Sequence, residues 1–498
     1  MYEIMDQPNH QIKKGLLLFV LLLGSFLSVL NQTILNVALP DLMKQFEVSA
    51  TTVQWLSTGF MLVNGILIPV TAFLMKRFTT RQLFISSMLL LLVGTFINAI
   101  APSFAFLLIG RMIQAAGAGI IMPLLMMVVL VVFPVENRGT AMGTLGLVMI
   151  FAPAIGPTLA GFIIEHFSWR WLFIGMFPLV AIVIALAAKF LVNVSETSKP
   201  KLDINSIILS TAGFGALLYG FSIAGDKGWG SAWVLICLAV GVLFLLLFCW
   251  RQLTSKDPLL NLQVFSDRMF TMTTIVNVLV TMVMYADMIL LPIYLQSSRG
   301  YTVLETGLLL LPGALINAFM SPVSGRLFDK FGVKPLAIIG LVFIIVASWE
   351  VTDLSETTSY SYLMIRTIIL RIGMSFITMP ITTAGLNALP KHLHSHGSAV
   401  SNTVRQVAGS IGIALVVTIM TSRTKSYAAE LIHSGNVQSK SQLIIESSIL
   451  GTSDAYIFTV VLVIIAFLVN LFMPKKSVSK QEKIIEEREH HTNSAVES

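Results

Sequence analysis

Of the 25 aspartates and glutamates in the chain, only Asp287 falls well inside an apolar run, residues 271–296. A carboxylate at hydrocarbon depth is costly, so it is a functional suspect by default. Its chemistry there would be uptake and release of a proton as access to it alternates. The alternative is a static hydrogen bond or ion pair with a neighbouring helix. Glu165, Glu305 and Glu350 sit nearer the ends of such runs. Four arginines also lie in apolar runs, Arg111, Arg366, Arg371 and Arg405. A guanidinium cannot shed its charge, so each needs an acceptor or a watery cavity. Arg111 precedes Gln114 and the small residues Ala115 to Gly119, which let its helix approach another closely. Arg405, near the start of its run, can instead snorkel to the interface.

Other chemistries find no footing. No Gly-Lys pair occurs in the chain, so there is no phosphate-binding loop of the ATPase type and any transport must run on a gradient. No Ser/His/Asp constellation sits on a plausible scaffold. His392, His394 and His396 alternate in one turn, a pattern that fits a solvated loop better than a metal site. A ridge of Gly139, Gly143 and Gly146 precedes Ala152-Pro-Ala-Ile-Gly-Pro-Thr-Leu-Ala-Gly161. Its glycines permit close helix contact, and Pro153 and Pro157 remove main-chain donors and bend the helix. Such a bend suits either plain packing or compliance at a moving interface.

The elements that must hold these residues are membrane spans. The 498 residues are 55% hydrophobic and only 11% charged, with mean hydropathy +0.84. Soluble chains carry about 25% charged residues, so water-soluble folds are excluded. A span takes roughly 20 apolar residues. Apolar runs bounded by charge and by Pro, Gly or Asn predict fourteen, near 15–37, 53–75, 82–101, 104–132, 140–164, 171–193, 205–223, 233–250, 271–296, 303–325, 335–349, 361–387, 398–422 and 455–474. With both termini cytoplasmic, twenty Lys and Arg lie on inside segments and seven outside, three of these in one long loop between the last two spans. That bias sets the orientation. The net charge of +7 is scattered beside the spans and reads as topological, not as a nucleic-acid surface.

The stretch from Pro69 to Leu83 aligns without a gap on Pro322 to Leu336, an offset of 253 residues. Like-oriented repeats are how many transporters are built, as two bundles around a midplane site. The offset makes spans 1–6 and 9–14 equivalent. The predicted organisation is a cytoplasmic segment 1–14, a six-helix bundle 15–193, an inserted transmembrane hairpin with flanking loops 194–270, a second six-helix bundle 271–474 and a polar cytoplasmic tail 475–498.

Together these features resemble the major facilitator superfamily over nearly the whole chain. Leu30-Asn-Gln-Thr-Ile-Leu-Asn-Val-Ala-Leu-Pro40 resembles the first-span signature of its 14-span drug:proton antiporters, the EmrB/QacA type, and the wording of the first two spans is most similar to the LmrB-type multidrug exporters. Gly325-Arg-Leu-Phe-Asp329-Lys-Phe-Gly332-Val-Lys334 resembles the superfamily's loop motif A, Arg111 with Gln114 its motif B, and Gly156-Pro157 with Gly161 the antiporter motif C. Two departures stand out. The usual first-span Asp is Asn31, which cannot titrate. In the N-terminal copy of motif A the usual Asp is Lys76 and the usual second Gly is Thr79, so only Asp329 can make the motif's carboxylate contacts.

The resemblance implies an all-α major facilitator fold and a multidrug exporter of the cell membrane that is not an enzyme. Alternating access would be driven by the proton gradient without a cofactor. Asp287 and Arg111 are the proton-coupling candidates. Asn31, Asn36, Gln114, Arg366 and Arg371 are the substrate-cavity candidates. Gly156, Pro157, Gly161, Gly325, Asp329, Gly332 and Lys334 are the conformational motifs, and no metal is implied. Partners would be small amphipathic substrates, protons and lipid, with the monomer as working unit. The rival expectation is an exporter of one endogenous metabolite, with Arg111, Arg366 and Arg371 able to draw an anionic one.

Overall fold

The computed structural model describes residues 8–48, 50–53, 55–194, 203–255, 258–434 and 439–474. Residues 1–7 of the expected N-terminal segment and the whole tail 475–498 therefore lie outside the described residues, as do the side chains of Asn36 and Pro157. Among the described residues there is no strand. The long helices are α1 (Pro8–Phe46), α2 (Trp55–Arg77), α3 (Thr80–Ala99), α4 (Phe104–Val132), α5 (Arg138–His166), α6 (Trp171–Phe190), α7 (Ile204–Lys227), α8 (Ala232–Thr254), α9 (Arg268–Ile293), α10 (Val303–Phe331), α11 (Val333–Trp349), α12 (Tyr360–Asn387), α13 (His394–Ser434) and α14 (Lys440–Leu471).

Eleven of the described helices are long and apolar enough to cross a membrane, or twelve with α2, which bends by 55° between Leu67 and Val70. Pro69 stands at that break, and a proline removes the donor that would carry the helix through. α11 is a shorter apolar helix of 17 residues. The apolar faces turned outward fit lipid. α8 shows this most, with Leu246, Trp250 and Leu253 all exposed.

The long loop expected between the last two spans is instead mostly helix, since α13 continues to Ser434 and α14 begins at Lys440. No Gly or Pro interrupts residues 413–434. The extension is also tied down: Arg423 on α13 pairs with Asp454 on α14, and the Tyr427 hydroxyl donates to the same carboxylate at 3.1 Å.

Helix pairings occur twice. α4 packs on α1, α2 and α3, α1 also on α5 and α6, and α3 on α6. Eight helices later, α12 packs on α9, α10 and α11, α9 on α13 and α14, and α11 on α14. Small residues permit the equivalent crossings. A Cβ on Gly94 of α3 would stand 2.5 Å from the Gly110 carbonyl of α4, and one on Gly340 of α11 would stand 2.7 Å from that of Gly373 on α12. The two sets meet through α5 with α10 and α12, and through α13 with α2 and α4. α7 and α8 pack on each other, and α7 also touches α2 and α13.

Candidate functional site

Asp287, less than two turns before the end of α9, is 2% exposed and faces α12 and α14. Arg366 of α12 donates to its Oδ1, and the Tyr456 hydroxyl of α14 donates to the same oxygen at 3.3 Å. Arg366 is itself buried, gives its Nε to the Ala347 carbonyl at 2.7 Å and lies over the Tyr456 ring at 5.2 Å. Arg371, one turn and a residue further along α12, holds its Nη2 3.6 Å from Asp287 Oδ2. That separation gives Coulomb attraction but no hydrogen bond. Arg371 keeps 18% of its side chain exposed, and its stem lies against Gly313 of α10, where a Cβ would stand 3.1 Å from the Arg371 Cγ. One carboxylate thus faces a tight, buried cation and a loose, partly exposed one, and the cluster carries a net charge of +1.

The first set of helices holds a related arrangement without the acid. Arg111 of α4 is fully buried, donates through Nη1 to the Asn31 carbonyl of α1 at 3.1 Å and to Gln114 Oε1 at 3.0 Å, and lies 4.4 Å from the centre of the Phe60 ring. Gln114 is spent inside this packing. Its Oε1 also accepts from Asn98 Nδ2 at 3.0 Å, and its Nε2 donates to Thr95 Oγ1 at 2.8 Å on α3. Asn31 is as deeply buried. Asn31, Gln114 and Arg366 therefore sit between helices, not on an open wall, whereas Arg371 is partly accessible. The structure unites Asp287, Arg366 and Arg371, and separately Asn31, Gln114 and Arg111.

A second constellation joins the two sets at one end of the molecule. Asp329, near the end of α10, accepts from the main-chain nitrogens of Gly139 at 2.8 Å and Thr140 at 2.9 Å, and from Thr140 Oγ1 at 2.7 Å. α5 has no side-chain cap of its own at Asn137. The Asp329 carboxylate thus supplies the missing acceptor and the negative charge that a helix N-terminus favours. The approach requires glycine on both sides: a Cβ on Gly325 would stand 2.2 Å from the Gly139 oxygen, and one on Gly139 would stand 2.5 Å from the Gly325 oxygen. The rest of the α5 ridge continues the contact, with Ser321 Oγ donating to the Gly143 carbonyl at 2.9 Å and also filling the space beside Gly146. Gly332 ends α10 at φ +78°, a conformation that favours glycine, and Lys334 donates to the carbonyls of Leu471 and Met473 at the end of α14, at 2.8 and 3.0 Å. In the other copy of the motif Thr79 caps α3 instead, through a reciprocal capping box with Gln82.

Gly156 packs on α1, where a Cβ would meet Thr33 Oγ1 at 2.4 Å, while Gly161 has nothing within 4 Å of that position. The expected snorkel of Arg405 is not seen. α13 starts at His394, so Arg405 is three turns inside, with its Nη1 buried and without a hydrogen-bond partner. No group of His, Cys, Asp or Glu among the described residues could hold a metal. His394 instead contacts the Leu389 carbonyl at 2.9 Å, and His396 Nδ1 accepts from the Asn261 nitrogen at 3.1 Å.

Sequence reasoning passed over three participants. Tyr456 falls inside the last expected span, 455–474, where a tyrosine buried in hydrocarbon needs a partner for its hydroxyl. Arg138 falls among the inside basic residues, yet it ties α4 to α12 through the Leu130 carbonyl at 2.6 Å and Asn387 Oδ1 at 2.8 Å. Asp203, outside the spans, caps α7 through the Ser206 nitrogen and accepts from Arg251 Nη2 of α8 at 2.8 Å. Hydrogen bonding from Arg251 holds its carboxyl down to about 2, against the effect of burial and helped by Ser206.

Residues 21–413 match the sequence family described as Major Facilitator Superfamily. The chain is 50% identical to the "Uncharacterized MFS-type transporter YhcA" of Bacillus subtilis over 415 residues, 83% of this chain and 78% of that one. It is 43% identical to the "Lincomycin resistance protein LmrB" of the same organism over 478 residues, 96% of this chain and 99% of that one. Among solved structures, the human organic anion transporter MFSD10 superposes with a TM-score of 0.66 at 13% identity, over 92% of this chain and 99% of that chain, a likeness of fold. With the duplicated helix pairings and the glycine-mediated contact of α5 with α10, these matches place the chain in the major facilitator superfamily of membrane transporters.

Proposed function

We propose that the protein is a proton-coupled exporter of amphipathic compounds in the cell membrane, working by alternating access. In this reading α1–α6 and α9–α14 are two six-helix bundles, α7 and α8 are an inserted hairpin, and all fourteen helices span with both termini in the cytoplasm. The monomer is the working unit and no cofactor is used. The repeated pairings support the division into bundles, and the basic bias of the loops supports the orientation. The contacts of Asp329 with α5 then lie at the cytoplasmic end and close that side. LmrB bears a name for lincomycin resistance, which makes lincomycin the first compound to test.

The observation that carries the coupling is Asp287 between a tight and a loose arginine. A proton arriving there raises the cluster from +1 to +2. The buried setting tolerates that only if Arg371, the exposed partner, turns toward water. Proton binding is thereby tied to the contact of α12 with α10 at Gly313, and so to the helices that must move. Purified protein in proteoliposomes tests this by measuring binding and pH-gradient-driven flux of lincomycin and of a permanently cationic dye. Asp287→Asn should retain binding and lose uphill flux of both. Because it also strands Arg366, the double variant Asp287→Asn/Arg366→Gln removes both charges and controls for folding. Normal uphill transport of both compounds by Asp287→Asn would overturn the assignment.

A further inference from the structure

Arg111 is a buried cation without an anion. No ion pair among the described residues includes it, and its Nη2 has no hydrogen-bond partner. Beside it both amide atoms of Asn31, Nδ2 and Oδ1, are buried and unpartnered as well. The Arg111 Nη1 bond to the Asn31 main-chain carbonyl at 3.1 Å brings the guanidinium to the backbone of the residue that carries them. The Phe60 ring and the carbonyls of Asn31 and Leu56 offset part of the charge, but dipoles and a π-face do not neutralise it. In the second set of helices the equivalent pair, α9 with α12, places a carboxylate against the buried arginine. With the 253-residue offset, Asn31 falls within one helical turn of Asp287.

We propose that Arg111 Nη2 and Asn31 Nδ2 bind a small monovalent anion of the size of chloride, which supplies the counter-charge that Asp287 supplies in the other half. The donors are of the right kind. A guanidinium and an amide nitrogen both present N–H groups, and a cation is excluded by Arg111 itself. Water could satisfy the hydrogen bonds but would leave a full charge at a site with no exposed surface, where charge is expensive. Burial also sets the size, since neither residue is open to a bulky ligand. The inference concerns the folded protein and does not depend on what is transported.

The test is thermal unfolding of the full chain in lipid nanodiscs. Chloride is titrated against gluconate, which is too large for the site, at constant ionic strength. Wild type should show a saturable rise in Tm with chloride of about 2–5 °C. Asn31→Asp installs the covalent counter-charge, so it should start from a higher Tm and show no chloride response. Arg111→Gln removes the cation and should also lose the response; if it does not fold, the contrast between wild type and Asn31→Asp still decides. Equal Tm in chloride and gluconate for wild type, or the same chloride rise in Asn31→Asp as in wild type, overturns the proposal.

Discussion

Replacing Asp329 with Asn tests whether the contact between α10 and the start of α5 holds the transporter closed on the cytoplasmic side. The carboxylate accepts three bonds of 2.7–2.9 Å, two from main-chain nitrogens on the first residues of α5 and one from Thr140 Oγ1. Asparagine has one acceptor oxygen and an NH2 group that would face main-chain donors, so at least one bond and the charge at the helix N-terminus are lost. Hydrogen bonds to charged groups contribute about 1.5–3 kcal/mol when buried. Asp329 is only half-buried, so the value of a single such bond, about 1.5–3 kcal/mol, is the reasonable total for the whole loss of bond and charge. Because the bonds join the two helix sets, the loss falls on the conformational equilibrium and not on either bundle. At about 1.4 kcal/mol per tenfold it shifts that equilibrium roughly 10- to 100-fold toward the cytoplasm-open form. Spin labels on Glu136→Cys and Lys330→Cys, with Cys237 and Cys249 replaced by Ser, read the separation directly. The Asp329→Asn protein should gain a long-distance population. A distance distribution unchanged within twofold, or a fall in Tm with no change in distances, would refute the reasoning.

Gly325→Ala places a Cβ 2.2 Å from the Gly139 carbonyl, so it should open the same gap at a cost of about 1–3 kcal/mol, whereas Gly161→Ala meets nothing within 4 Å and should leave Tm unchanged; equal Tm losses in the two would contradict the packing. Cysteines at Glu136 and Asp353 should label only from the cytoplasmic and the outer side respectively, and labelling of both from one side would overturn the topology. Asp203→Asn should lower Tm by a constant amount from pH 5 to 8. Its carboxyl sits at about 2, below the ordinary 3.8, so the stabilisation is complete above about pH 4 and fades as pH falls toward 2. A Tm difference that already vanishes at pH 5, or persists in full at pH 2, would show that Arg251 is not its cause.

The membrane class, the all-helical character and the family were legible in the residues, because each follows from local quantities. Apolar length selects a span, a basic loop selects a side, and the motifs around Leu30, Arg111, Gly156 and Gly325 are contiguous in the chain. Asp287 could be singled out because hydrocarbon makes an acid conspicuous wherever it is placed. Its partners could not. Arg366 and Tyr456 lie 79 and 169 residues away, and their meeting is decided by how α9, α12 and α14 cross. The same holds for Asp329 and Gly139, joined over 190 residues by two glycine faces whose fit depends on both helices at once. Even the helical run past Arg423 escaped a hydropathy reading, since a polar helix is stabilised there by Asp454 of another helix and not by its own composition. Sequence by itself determined which groups are too costly to be idle in the membrane. Tertiary structure decided which of them compensate one another, leaving Asp287 between two cations and Arg111 without a protein anion.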